Sequence, residues 1–198
     1  VVDLDNLKKI IKDTTILVSI SSVNSEIGIR QPIEKIAEIV KEYPKCYFHS
    51  DMTQSIGKID IDIKNIDFVS FSAHKFYGIK GIGCLLKNKN IVMTPLIHGG
   101  KSTTNYRSGT PATPLVVSTS KALRLAYENL DNKYRHVLDL NTYLKDKLSL
   151  YNKVFVNSNG VCIPHILNLS IPKIKPETMQ RALEAYNIFI STQTACSN

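Results

Sequence analysis

Tryptophan is absent from this chain and only 8% of its residues are aromatic. That scarcity bears on the formal net charge of +8, which by itself would suggest nucleic acid. The 25 lysines and arginines are scattered with no run of five, and no set of aromatic side chains is laid out for base stacking. A lysine-rich solvated surface is the simpler reading, and no nucleic-acid partner is expected. Cysteine is sparse too. Cys46, Cys84, Cys162 and Cys196 contain no C-x-x-C pair, which argues against a zinc ribbon or a dithiol redox site. His49, His74 and His98 fall on different expected elements with no i,i+4 pair, so no metal site is expected. Nothing suggests a secreted disulfide framework, and the expected location is a reducing cytoplasm. No apolar stretch approaches the roughly 18 residues of a membrane span, and no signal peptide opens the sequence.

What is present suits a folded α/β protein. Apolar residues make up 43% of 198 positions, enough for a real core in one or two domains. Leu4, Leu7, Ile10 and Ile11 share one helical face, and Thr14 to Ile20 reads as a buried strand. Pro32 suits the first turn of a helix with Ile33, Ile36, Ala37 and Val40 on its apolar face. Strands running into Asp51 and from Ile66 to Phe71 follow, then Cys84 to Lys87 and Ile91 to Ile97, with antiparallel pairing expected after the glycine turns. Such alternation argues for a mainly parallel sheet covered by helices.

After a loop from His98 to Thr110, a helix is expected over about 114–129. A second, over 133–150, has Val137, Leu140, Leu144 and Leu148 on one face. Val154 to Val156 and His165 to Ile171 read as strands, Pro176 opens a helix, and Ile188 to Ser191 returns as a strand. The expected division is a large domain over 1–131 and a small α+β domain over 132–198. Gly100-Lys101-Ser102 resembles the end of a phosphate-binding loop, but Pro95 stands where its first glycine would be.

The chemistry centres on Ser70-Phe71-Ser72-Ala73-His74-Lys75. A lysine just past a buried strand lies at the carboxyl edge of a sheet, where open α/β folds keep their ligand crevices. An amine held there loses its proton more readily and forms a Schiff base. Upstream, a second strand ends at Asp51, with Gln54 three residues on. A lysine for the covalent link and an acid to keep a pyridine nitrogen protonated are what pyridoxal phosphate chemistry needs. Taken alone, Lys75 would be a solvated loop lysine, Asp51 a turn cap and His74 a structural histidine. Their arrangement favours the cofactor reading.

Five stretches carry a resemblance, in order: Val23-Asn24-Ser25-Glu26-Ile27-Gly28, His49 to Gln54, Ser70 to Gly83, Arg107-Ser108-Gly109-Thr110, and Ser191-Thr192-Gln193-Thr194-Ala195-Cys196-Ser197. The chain resembles the NifS-like cysteine desulfurases of the class V aminotransferase family. The resemblance implies the second half of a fold-type-I pyridoxal-phosphate domain, joined to part of a small α+β domain, with N- and C-terminal portions lying outside these residues. It assigns pyridoxal 5′-phosphate to Lys75, the pyridinium contact to Asp51 and the phenolic-oxygen contact to Gln54. Ser72 and His74 would hold the phosphate, and Thr110 would reach the cofactor of a second subunit, which implies a homodimer. Asn24 is matched less well, because the family has two consecutive asparagines where this chain has Asn24-Ser25.

By the same resemblance Cys196 takes the sulfur of L-cysteine as a persulfide, leaving L-alanine. An iron–sulfur scaffold or a thiolation enzyme would then accept the sulfur. A thiol in a run of small polar residues has the access such a reaction needs. Two other readings stand beside this one: a different pyridoxal-phosphate lyase or decarboxylase with no need of Cys196, and an inactive fragment that folds only with a partner chain.

Overall fold

Asp3 opens the first helix by accepting the backbone N–H groups of Asp5 and Asn6, both at 3.0 Å. The computed structural model describes residues 1–100 and 104–192, so Cys196 and the Lys101-Ser102 pair lie outside the described residues. Helix α1 runs Leu4–Ile10 and strand β1 Leu17–Ser21. Helix α2 is Ile33–Lys41, with Pro32 as its N-cap. Strands β2 (Tyr47–Asp51), β3 (Phe68–Ser72) and β4 (Gly83–Lys87) follow. Helices α3 (Thr113–Tyr127) and α4 (Leu130–Leu148), the short strands β5 (Phe155–Val156) and β6 (Leu169–Ser170), and helix α5 (Pro176–Glu184) complete the described chain.

The chain divides into two units. The first takes residues 1–22 and 31–130 and is built on a sheet of order β1-β2-β3-β4. β1, β2 and β3 are parallel, and β4 returns antiparallel to β3, as expected after the glycine turn. The fold is thus α/β with a mainly parallel sheet. Strand alternation gives the sheet two unlike faces. Phe48, Ser50, Val69 and Phe71 point into a core shared with Leu7 of α1, Ile33, Ile36, Ala37 and Val40 of α2, and Ala126 of α3. Each such aliphatic side chain contributes about 1.5–3 kcal/mol when fully buried. The other face carries Ser19, His49, Asp51, Ser70 and Ser72, which range from half-buried to exposed.

Two expectations for this unit are corrected. The first strand is not buried: it lies at the sheet edge, and Leu17 is 52% exposed. Residues 91–97 do not form a strand. Pro95 has no N–H to give a ladder, Val92 and Leu96 are almost fully exposed, and among the described residues only Ile97 forms a bridge, to Arg107.

The second unit joins residues 23–30 to residues 131–198. Ile29 bridges Cys162, the Arg30 N–H donates to the Val161 carbonyl at 3.0 Å, and the Ile163 N–H to the Gly28 carbonyl at 2.9 Å. Gly28 has φ +78° and sits where a Cβ would come within 3.0 Å of the Ile166 Cβ, so glycine is required there. Within α4 the expected apolar face is only partly the inward one: Val137 and Leu148 are half-buried, on the same side as Asn141. Asn141 is buried and donates from Nδ2 to the Pro164 carbonyl at 2.9 Å, while Leu140 and Leu144 are exposed. That bond satisfies the buried amide, which would otherwise carry an uncompensated desolvation cost. Residues 188–191 do not return as a strand: Asn187 takes φ +57° and the Ile188 N–H bonds back to the Leu183 carbonyl, closing α5.

One core position invites a test. Ser50 is fully buried on the core face, and its hydroxyl has no hydrogen-bond partner. Ser50→Ala removes that stranded group and is expected to raise unfolding stability by about 1 kcal/mol. Urea denaturation checks this, and a clear loss of stability would show that the hydroxyl has a partner in solution.

Candidate functional site

The site grows out of the way β2 and β3 end. His49, Ser50 and Asp51 lie in register with Phe68, Val69 and Ser70. The Met52 N–H continues the ladder by donating to the Ser70 carbonyl at 2.8 Å. On the other side, the Ser22 N–H donates to the Asp51 carbonyl at 2.8 Å. Because the strands are parallel, both finish on one edge of the sheet, and the residues after them share that edge.

Asp51 is exposed at the end of β2. Its Oδ1 accepts the Thr53 N–H at 2.9 Å and its Oδ2 accepts the Ser70 hydroxyl at 3.3 Å. A carboxylate has about four lone-pair sites, so two fixed donors leave room for a third. Beyond Asp51 a turn leads to Ser55, whose hydroxyl meets that of Ser22 at 2.6 Å inside the protein.

After Ser72 the chain enters a single 3-10 turn, Ala73–Phe76. Three residues per turn put Ala73 and Phe76 on one side, where both are buried. His74 and Lys75 are thereby turned away from the core, His74 exposed and Lys75 half-buried. Tyr77 ends the turn in the left-handed region at φ +67°, and the Gly78 N–H donates to the Ala73 carbonyl at 2.9 Å. The turn rests on α3 through Gly57: a Cβ there would lie 2.7 Å from that of Ala126 and 3.2 Å from that of Phe76. Ser72 makes no side-chain cap to this turn.

Sequence reasoning missed Lys58. Its Nζ donates to Gln54 twice, to the side-chain Oε1 at 3.1 Å and to the backbone carbonyl at 3.2 Å. Gln54 therefore keeps its amide N–H groups free of Lys58 and available to an acceptor in the site. Burial first, and then the positive charge of Lys75, pull the Lys58 ammonium down to about 8. The i,i+4 spacing of Gln54 and Lys58 was the only signal in the sequence. The interaction with Lys75, by contrast, spans two separate loops.

Two further candidates, Thr110 and Asn24, are on other segments of the chain. Thr110 is exposed on the loop before Pro111. That loop is tied by the Ser108 hydroxyl donating to the His98 carbonyl at 2.9 Å. Asn24 belongs to the second unit, where its Oδ1 accepts the N–H groups of Glu26 and Ile27 at 2.9 and 3.0 Å. That is an Asx-type turn, so Asn24 has a local structural role in this structure. Burial pushes the Cys46 and Cys84 thiols up, which makes both poorer nucleophiles. Among the described residues no helix is long and apolar enough to cross a membrane.

The aminotransferase class-V family model matches residues 1–198. The mitosomal cysteine desulfurase of Encephalitozoon cuniculi is 39% identical over 203 residues, covering all of this chain and 46% of that protein. The cysteine desulfurase IscS of Buchnera aphidicola is 40% identical over 203 residues, again covering all of this chain and 50% of the relative. A solved structure titled NifS-like protein superimposes with a TM-score of 0.91 at 36% identity, over 97% of this chain and 53% of its own. The chain spans about half the length of the curated relatives it matches.

The Lys58 environment makes a pH prediction. A lysine held at about 8 in the folded state and near its ordinary 10.5 when unfolded is penalised wherever it must fold charged. Between those values the unfolded chain binds more protons, so stability should rise with pH through this window. Denaturation at pH 7.5 and 9.5 should show that rise, and Lys58→Met should flatten it. An equal rise in the Met variant would assign the effect to other groups.

Proposed function

The chain belongs to the class-V aminotransferase family, and from that membership we propose that it carries the lysine-bearing half of a pyridoxal-phosphate cysteine desulfurase. The observation that carries the reading is the shared edge of β2 and β3, where Asp51 and the turn with Lys75 emerge together. The donor set there suits the cofactor. Asp51 has a free acceptor site for a protonated ring nitrogen, and Gln54 has amide donors for a phenolic oxygen. Lys75 offers the amine for covalent attachment, and Ser72 and His74 offer donors to phosphate. When bound, pyridoxal phosphate supplies an electron sink for the bond broken at the substrate Cα.

The chain's own residues then have separate tasks. Asp51 holds the ring nitrogen protonated. Lys75 Nζ takes the Cα proton of L-cysteine as general base. Cys196 Sγ, in the segment outside the described residues, attacks the substrate sulfur. A new S–S bond forms as the substrate C–S bond breaks. The enzyme gains a persulfide, and the substrate leaves as L-alanine once its Cβ has taken a proton and its Cα has regained the one Lys75 removed. Thr110, exposed on its loop, is assigned to the phosphate of a second subunit's cofactor, which makes the functional form a homodimer. Asn24 is the weakest member of the set, since its side-chain oxygen already closes a local turn. The sulfur acceptor is proposed to be an iron–sulfur scaffold or a thiolation enzyme. A reducing compartment such as the cytoplasm would preserve the thiol, although one relative is mitosomal.

Two experiments test this, both on the protein as its gene encodes it. Borohydride reduction of the cofactor-loaded protein, followed by peptide mass mapping, should place a pyridoxyl group on Lys75, and Lys75→Ala should lose it. A pyridoxyl group that maps to another lysine overturns the assignment.

Cys196→Ser should lose persulfide formation from L-cysteine while retaining the cofactor, because a serine hydroxyl is far less nucleophilic than a thiolate at neutral pH. Cys46→Ser, Cys84→Ser and Cys162→Ser should retain sulfur transfer. Sulfide release at the parent rate from the Cys196→Ser form would favour a lyase that needs no acceptor thiol.

A further inference from the structure

Across the open face of the sheet, polar side chains of three neighbouring strands are joined in a line. Ser19 and His49 are direct partners in the β1–β2 register, with Ser19 Oγ 2.7 Å from His49 Nδ1. His49 Nε2 lies 3.0 Å from Ser70 Oγ, and Ser70 Oγ lies 3.3 Å from Asp51 Oδ2. Proton counting gives the line a direction. An ionised carboxylate only accepts, so the single hydroxyl proton of Ser70 goes to Asp51. Ser70 Oγ must then accept from His49, which puts a proton on Nε2. In the neutral ring Nδ1 is left as an acceptor, and it takes the proton of the Ser19 hydroxyl. All three donors point the same way, and each polarises the next.

We propose that Ser19, His49 and Ser70 form a one-way hydrogen-bond relay that orients the Asp51 carboxylate toward the ring nitrogen of the cofactor. His49 is then a positioning residue, two hydrogen bonds behind the carboxylate. This rests on the pyridinium role proposed above for Asp51. Both carboxylate oxygens are anchored, Oδ1 by the Thr53 N–H and Oδ2 by Ser70, so the plane of the group is set by the backbone on one side and by the relay on the other. Without His49 the Ser70 hydroxyl loses the donor that directs its proton toward Asp51. The motif around Asp51 begins with His49, yet the proposed chemistry leaves that residue without a task. Both of its ring nitrogens are instead engaged within the sheet.

The test uses the protein as its gene encodes it, loaded with pyridoxal phosphate labelled with nitrogen-15 at the ring. The parent should show the shift of a protonated ring nitrogen. Asp51→Asn should move it toward the unprotonated value. Ser70→Ala and His49→Phe should move it in the same direction and weaken cofactor retention by about tenfold, the scale of one lost hydrogen bond to a charged group. Ser70→Thr, which keeps the hydroxyl, should restore both. In the cofactor-free protein, the histidine nitrogen spectrum should show His49 as the Nε2–H tautomer, and Ser70→Ala should abolish that preference. If Asp51→Asn moves the ring-nitrogen shift and the Ser70 and His49 variants do not, the relay is overturned and the Asp51 assignment stands. If Asp51→Asn moves nothing, the pyridinium reading falls, and the tautomer spectrum still decides whether the relay exists. Should His49→Phe fail to fold, the parent tautomer and the Ser70→Ala and Ser70→Thr pair decide alone: an Nδ1–H tautomer in the parent overturns the relay.

Discussion

A single backbone hydrogen bond, from the Met52 N–H to the Ser70 carbonyl, continues the β2–β3 ladder one residue past the end of β2. Everything proposed for this chain depends on that alignment. The bond holds the turn after Asp51 against β3, just before the turn that presents Lys75. In a parallel pair both strands must end on one edge. A one-residue slip of β2 against β3 would carry Asp51 to the core face and put Ser50 in its place. The register is protected by what that slip would bury. Phe48 would leave the core as a carboxylate entered it, a loss on the scale of the marginal stability of a folded domain.

The sheet is therefore a partition. Its core side is apolar and closely packed against three helices, with Ser50 the one polar group stranded there without a partner among the described residues. Its other side carries the hydroxyls, the imidazole and the carboxylate beside Leu17, Tyr47 and Phe68. The turn carrying Lys75 follows the same logic: Ala73 and Phe76 anchor it, Gly57 lets α3 close on it, and His74 and Lys75 are left facing outward.

Much of this was readable from residue order because the signals were local. The face of α2 was written in the spacing of Ile33, Ile36, Ala37 and Val40, and all four are buried. The return of β4 followed from the glycines before it. Where the signal was equally local but the outcome depended on distant partners, the reading failed. Ile91 to Ile97 has the composition of a strand but gains no ladder. Of the apolar face of α4, Val137 and Leu148 are half-buried, but Leu140 and Leu144 stay exposed while Asn141 turns inward to the Pro164 carbonyl. Residues 23–30 carry one of the recognisable motifs, and only backbone pairing with residues 161–163 shows which unit they belong to.

By itself the sequence determined which candidate groups are present and their order along the chain, and thereby the family. It also set the local elements, because periodicity, caps and turn residues act over a few positions. Tertiary structure alone decided which of those groups meet. Lys58 reaches Gln54 within one turn, but feels Lys75 only because two loops fold onto the same edge. His49 becomes part of the Asp51 environment only because β1, β2 and β3 lie side by side. The reason is physical: hydrogen-bond direction and electrostatic coupling depend on distances of a few ångströms. Between residues on separate strands and loops, those distances exist only once the sheet has formed.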